Sequence, residues 1–262
     1  ESNGVSFITD PWLFGPAFLT GWWLEDPSTE DSLELLRKAD YVLISHNHPD
    51  HLHLETLNIL EKDKKIIVAD FKTKSAEKYL RANGFTNVLP LKFLNIYEIA
   101  PGFQVSLIKS GDFRDDSGCY LNVNGEQILM TVDCNFLNSH NLPVNVDVLM
   151  TAFAGGASGF PLCYNGYDEN KKLEISKRNK LATRVMVKDY LTVTKPKYYM
   201  PYAGMFKEKA PRDINIERRN TKNSIFDIKK IIEEAGVNFI EPSKSTFFQL
   251  KEHKLFPNKV DV

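Results

Sequence analysis

Tyr41-Val-Leu-Ile44, running into Ser45-His46-Asn47-His48-Pro49-Asp50-His51-Leu52-His53, is the stretch on which the reading of this chain turns. The chain holds 6 histidines, and four of them fall in this short segment. The apolar run reads as a buried strand, and loops at strand ends are where α/β proteins place their chemistry. Side chains alternate along an extended segment, so His46 and His48 point the same way and two imidazoles converge on one ion. Asp50 and His51 follow where the chain turns toward a helix, and there they face a second ion close by. Imidazole suits zinc, iron or manganese, and added carboxylates tilt the preference toward harder ions. His53 is an additional histidine, read as exposed.

Outward from this segment, short strands and helices alternate. Val5 to Thr9 reads as a strand that needs a partner, so an upstream strand or domain is expected. Ser28 to Asp31 offers a capping box for a helix through Lys38, and further helices are expected over Leu54–Glu61 and Ser75–Asn83. Ile66–Ala69 reads as a buried strand. The middle is β-rich, with strands at Ile96–Ile99, Phe103–Ile108, Cys119–Val123 and Gln127–Thr131, and Asn124-Gly125 marks a hairpin between the last two. Val146–Met150 is a further strand. A long helix spans Lys172–Val193, Lys197–Pro201 returns as a strand, and Ser224 caps a helix to Ala235. Strands at Asn238–Ile240 and Thr246–Leu250 close the chain. Such interleaving predicts α/β layers with helices outside and strands inside.

Composition narrows the class. With 262 residues, 42% hydrophobic and 26% charged, the chain can bury a sizeable core as one domain. A formal charge of −1 argues against a nucleic-acid partner. No apolar run approaches the roughly 18–20 residues that span a bilayer, so no membrane partner is expected and a cytoplasmic location is the default. Cys119, Cys134 and Cys163 lie far apart and read as buried reduced thiols rather than a disulfide or zinc framework.

His-x-His-x-Asp-His after an apolar strand resembles the signature of the metallo-β-lactamase superfamily. That resemblance implies a four-layer αββα sandwich and a later aspartate that bridges two metals after a β-strand. Asp133, after Ile128-Leu-Met-Thr-Val132, occupies that context, and a buried carboxylate there needs a partner. The superfamily's third metal histidine falls near Gly111-Asp112-Phe113, where this chain has none. Asp112 is the substitute expected here, with Asp115 and Asp116 as alternatives. The superfamily's last histidine, near Tyr202-Ala203-Gly204, is also missing. The expected ligand set is His46, His48, Asp50, His51 and Asp133, joined by Asp112.

Longer stretches resemble the metallo-β-lactamase-like domain of the cytidine-monophosphate N-acetylneuraminic acid hydroxylases. They are Asp10-Pro-Trp-Leu-Phe-Gly-Pro-Ala-Phe18 with Gly21-Trp-Trp23, then Thr131-Val-Asp-Cys134, Phe153-Ala-Gly-Gly-Ala-Ser-Gly-Phe-Pro161, Pro201-Tyr-Ala-Gly204 and Asn220-Thr-Lys-Asn223. The resemblance implies an iron-dependent monooxygenase acting on a nucleotide-linked sugar, with one or two iron ions, and zinc or manganese as alternatives. Electrons in that family arrive through a Rieske domain, whose two cysteines and two histidines at close spacing have no counterpart here. An external electron donor is therefore expected. Gly155, Gly156 and Ser158 offer backbone N–H groups to an anion, and Asn220, Thr221, Lys222 and Asn223 offer donors to a sugar or phosphate. The second reading is a metal-dependent hydrolase of phosphodiester or lactone type. There the metal lowers the pKa of bound water to about 7 and Asp50 is the catalytic group that orients it.

Overall fold

The computed structural model describes residues 1–26, 28–155, 161–219, 221–243 and 246–259. The first part of the chain forms β1 (Phe7–Thr9), β2 (Pro16–Ala17), β3 (Trp22–Leu24), α1 (Glu30–Lys38), β4 (Tyr41–Ile44) and α2 (Leu54–Leu57). Next come β5 (Lys65–Ala69), α3 (Ser75–Ala82), β6 (Val88–Leu91), β7 (Tyr97–Ala100), β8 (Phe103–Lys109), β9 (Ser117–Val123), β10 (Glu126–Met130) and β11 (Val148–Thr151). The remainder is α4 (Glu169–Thr194), β12 (Tyr198–Pro201), β13 (Phe206–Glu208), α5 (Ile214–Arg219), α6 (Ile225–Glu234), β14 (Asn238–Phe239), β15 (Thr246–Lys251) and β16 (Lys254–Lys259).

Two sheets face each other. One is parallel, in the order β1-β4-β5-β6, and the other is mixed, in the order β14-β12-β11-β10-β9-β8-β7. Alternation along β4 shows why they stack. Leu43 points into the layer between the sheets with Ile67, Val105, Leu107 and Cys119, while Val42 and Ile44 pack outward with Leu36, Leu57 and Leu80 beneath α1, α2 and α3. Burial on both faces is why the strand reads as an unbroken apolar run. Each such side chain contributes roughly 1.5–3 kcal/mol. On the far side, Met186, Val187, Tyr190 and Leu191 of α4, with Ile228 and Ile232 of α6, cover Leu129, Leu149 and Tyr199. The layers run α, β, β, α, the expected sandwich.

Several local expectations change. The α1 cap is Thr29, not Ser28, its side chain accepting from the Ser32 N–H. The helix after the histidines stops at Leu57. His53 is buried rather than exposed, and it caps that helix by accepting from the Thr56 N–H at 3.2 Å. Cys163 is exposed, whereas Cys119 and Cys134 are buried. A small sheet, in the order β13-β3-β2, was not legible in the sequence. No helix among the described residues is long and apolar enough to cross a membrane.

Candidate metal centre

The C-terminal ends of β1 and β4 in one sheet and of β10 in the other meet, and they bring together residues far apart in sequence. His46 Nε2 lies 2.8 Å from His48 Nδ1 and 3.9 Å from Asp133 Oδ2. His51 Nε2 lies 3.5 Å from both Asp133 Oδ2 and Asp50 Oδ2. Two groups of ligand atoms result, His46 with His48 and Asp133, and Asp50 with His51 and Asp133. Within each group the ligand atoms lie no more than 4.8 Å apart. Asp133 belongs to both, the position of a bridge between two ions.

A carboxylate the sequence reading had not singled out orients both buried imidazoles. Asp10, just beyond β1, accepts from the Ser45 N–H and from the Ser45 hydroxyl, both at 2.7 Å, and its Oδ2 lies 3.0 Å from His51 Nδ1. The Ser45 hydroxyl donates to Asp10, so it accepts from His46 Nδ1–H at 2.9 Å. His46 and His51 therefore both present Nε2 to the cluster. A ligating histidine is commonly held this way, through its other nitrogen. The signal available in sequence was Asp10-Pro11 at the end of a strand, and the parallel pairing of β1 with β4 sets it beside Ser45.

Burial and mutual charge set the protonation of the cluster. Burial pushes the His46 imidazole down to about 3, reinforced by the charge of His51. Burial likewise lowers His51, but Asp133 and Asp10 overcome it and hold that imidazole well above its usual range. Burial raises Asp133, and the His51 charge and hydrogen bond outweigh it, keeping this carboxylate ionised. Asp50, buried and close to Asp133, rises to about 6. Asp50 Oδ1 is buried without a hydrogen-bond partner among the described residues, while Asp116 Oδ2, also without one, faces the Arg114 guanidinium at 3.1 Å. An unsatisfied buried polar group costs about 1–3 kcal/mol, and a cation among these oxygens would relieve it. The donor set, imidazole nitrogen and carboxylate oxygen, fits a metal ion.

Aromatic rings wall one side. The Phe18 ring lies 6.2 Å from His48 and edge-on to Trp22 at 4.4 Å, and Trp22 stacks on Phe206 at 4.0 Å.

Other expected site residues lie elsewhere. Asp116 belongs to neither ligand group, and nor does Asp112. The Asp112 carboxylate accepts from Arg114 Nε at 2.9 Å and from the Ser110 hydroxyl at 3.0 Å, making it the anchor of a loop rather than a member of the cluster. Asp115 accepts from the Thr73 hydroxyl at 2.6 Å. At the position of the second missing histidine, Gly204 packs so closely that an added Cβ would sit 2.7 Å from the Ala154 Cβ. Gly156, Ser158 and Asn220 lie outside the described residues. Gly155 adopts a left-handed φ of 74°. Lys222 is committed to Glu208 at 3.0 Å and to the Phe206 carbonyl at 2.7 Å. Asn223, only 3% exposed, accepts from Arg184 and donates to the Phe153 and Lys180 carbonyls. Both tie the fold together instead of facing a ligand. The Thr221 hydroxyl is buried without a hydrogen-bond partner among the described residues.

Sequence and structural comparisons bear on the family and the fold. The family model described as a beta-lactamase superfamily domain matches residues 1–128. The cytidine monophosphate-N-acetylneuraminic acid hydroxylase of Danio rerio is 36% identical over 237 residues, covering 87% of this chain and 40% of that protein. The chain belongs to the metallo-β-lactamase superfamily. The Asterias rubens hydroxylase of the same name is 36% identical over 255 residues, covering 94% of this chain and 39% of that protein. The chain thus spans about 40% of the length of these curated relatives. Among solved structures, a possible metal-dependent hydrolase from Veillonella parvula aligns with a TM-score of 0.61 at 14% identity, covering 93% of this chain and 92% of that one. An isothiocyanate hydrolase from Delia radicum gut bacteria aligns at 0.58 and 14%. These two establish the fold alone.

Proposed function

We propose that this chain is the metal-bearing part of an iron-dependent hydroxylase acting on a nucleotide-linked sugar of the CMP-N-acetylneuraminate kind. The observation that carries the reading is the 36% identity, across 87% of the chain, to a protein named for that hydroxylation. The carboxylate-rich cluster supports it, since carboxylates favour iron or manganese over a purely imidazole zinc site. His46, His48, Asp50, His51 and Asp133 would hold one or two iron ions. Bound iron supplies the capacity to activate dioxygen, with electrons from an external donor.

The chain's own residues have separable tasks. Asp10 and Ser45 keep the Nε2 atoms of His51 and His46 turned inward. Asp50 has its carboxyl raised to about 6 in the metal-free chain, and a bound ion would displace that proton and take the carboxylate as a ligand. Phe18, Trp22 and Phe206 exclude water from one side. Gly155, Gly156, Ser158, Asn220 and Thr221 are proposed to receive the nucleotide phosphate and sugar, with Lys222 and Asn223 positioning that segment from behind.

The same cluster favours a second reading, metal-dependent hydrolysis, in which a bound ion would lower the pKa of its water to about 7 and the Asp50 carboxylate would orient that water. Oxygen uptake by anaerobically iron-loaded protein, with a chemical reductant and a CMP-linked N-acetyl sugar, separates the two. Substrate-dependent uptake with one oxygen atom added to the sugar is expected. No uptake, with zinc-supported cleavage of a phosphodiester instead, would replace the first reading with the second.

A further inference from the structure

Asp116 is the one acidic residue of the Gly111–Asp116 loop that faces the cluster. Its side chain is 4% exposed, and its Oδ1 lies 3.9 Å from His46 Nε2, the same distance that separates His46 Nε2 from Asp133 Oδ2. Two donors bound to one ion at about 2.1 Å stand roughly 3 to 4 Å apart. Oδ2 is buried without a hydrogen bond among the described residues, and the Arg114 guanidinium stands 3.1 Å from it. The backbone fixes this placement independently. The Ser110 N–H donates to the Asp116 carbonyl at 2.9 Å, closing the loop, and the Ser117 hydroxyl donates to the Ser45 carbonyl at 2.7 Å. Asp116 is thereby fastened to the residue that precedes His46.

Arg114 links the loop's two carboxylates. Asp112 takes its Nε and a terminal nitrogen, at 2.9 and 2.7 Å, while the other terminal nitrogen faces Asp116. A guanidinium held in this planar fork stays where its partner puts it.

We propose that Asp116, outside the 4.8 Å grouping of His46, His48 and Asp133 but 3.9 Å from His46 Nε2, becomes the fourth protein ligand when an ion binds at that position, and that Asp112 and Arg114 position it. This rests on the metal reading given above. Two imidazoles and two carboxylates make an oxygen-rich site, suited to ferrous or manganous ions more than to zinc. Asp116 replaces the superfamily's missing third histidine, and Asp112 supports it from behind.

Chelator competition and the visible spectrum of the cobalt(II)-substituted protein test the assignment without any turnover. Asp116→Asn is expected to weaken metal binding by at least the roughly 10- to 100-fold that loss of an outer-shell partner costs, and to change the cobalt spectrum. Asp116→His, checked for folding by circular dichroism, is expected to restore binding and shift preference toward zinc, which a merely structural carboxylate would not do. Arg114→Met is expected to weaken binding by about tenfold, with Arg114→Lys recovering most of it. Wild-type affinity and an unchanged spectrum in Asp116→Asn would overturn this assignment while leaving the five-residue metal site standing. Failure of the wild-type chain to bind any metal would overturn both.

Discussion

Two buried carboxylate clusters lie at opposite ends of the seven-stranded sheet, and they are built on opposite principles. At the start of β11, Asp147 is saturated by protein. It accepts from Lys197 Nζ at 2.8 Å and from the Gln127 N–H at 2.9 Å, and His253 Nδ1 of the β15–β16 hairpin lies 2.9 Å away. Burial raises its carboxyl, but the Lys197 and His253 bonds hold it below its ordinary value. Beyond β10, Asp133, Asp50 and Asp116 crowd around histidines, and two of these carboxylates keep buried oxygens without hydrogen bonds. A satisfied carboxylate fastens chain to chain. An unsatisfied cluster of them is arranged for a cation that the protein alone does not replace.

The comparison is most exposed at Asp10, which bridges both principles by anchoring protein while orienting two imidazoles. Asp10→Ala is expected to destabilise the fold by about 3 kcal/mol, because it removes one of the two carboxylates that hold the His51 charge and leaves the Ser45 N–H unpaired, and to lower metal affinity in the same protein. Urea unfolding and a metal titration check both. A stable variant with normal affinity would separate Asp10 from the cluster. At the other end, Asp147→Asn is expected to cost about 2 kcal/mol through the lost Lys197 and His253 bonds, yet to bind metal as the wild type does. Changed metal affinity there would break the contrast.

Acid and base act on the two ends with opposite sign. Asp147 has a lowered carboxyl, so its contribution is present above about pH 4 and lost as the pH falls. Asp50 is raised to about 6 from an ordinary 3.8, so the folded metal-free chain keeps a proton that the unfolded chain has released. Its contribution is therefore full below about pH 4 and declines as the pH rises through about 6. Metal must displace that proton and the one held on His51, so apparent metal affinity is expected to climb from about pH 5 upward. Asp50→Asn should flatten the lower part of the climb, and calorimetry at several pH values would show an unaltered slope there if Asp50 lies outside the site. The smallest effect is expected at Asn223→Ala, a loss of about 1 kcal/mol from buried hydrogen bonds with substrate affinity little changed. A large rise in KM without loss of stability would return Asn223 to the ligand.

Legibility in the sequence followed the range of the interactions. His46, His48, Asp50 and His51 were readable because strand alternation and one turn place them, and both are local. The buried strands β4 and β5 were readable because parallel pairing between two covered faces demands an apolar run. The role of Asp10 was not legible, since it depends on β1 lying beside β4. Among Asp112, Asp115 and Asp116, spacing could not choose. Arg114 and Ser110 claim the first, Thr73 claims the second, and only the third turns inward. Lys222 and Asn223 were expected to face a ligand because donors in a loop look available until Glu208 and Arg184 are seen beside them. The sheet of β2, β3 and β13 escaped because its pairing joins residues near Trp22 to residues near Phe206.

The central claim is most directly tested by counting bound metal. Purified chain, reconstituted anaerobically with ferrous iron and freed of loose ions, should retain at least one ion per chain by elemental analysis, and a His46→Ala, His51→Ala double variant should retain none. Equal metal content in both proteins would contradict the account.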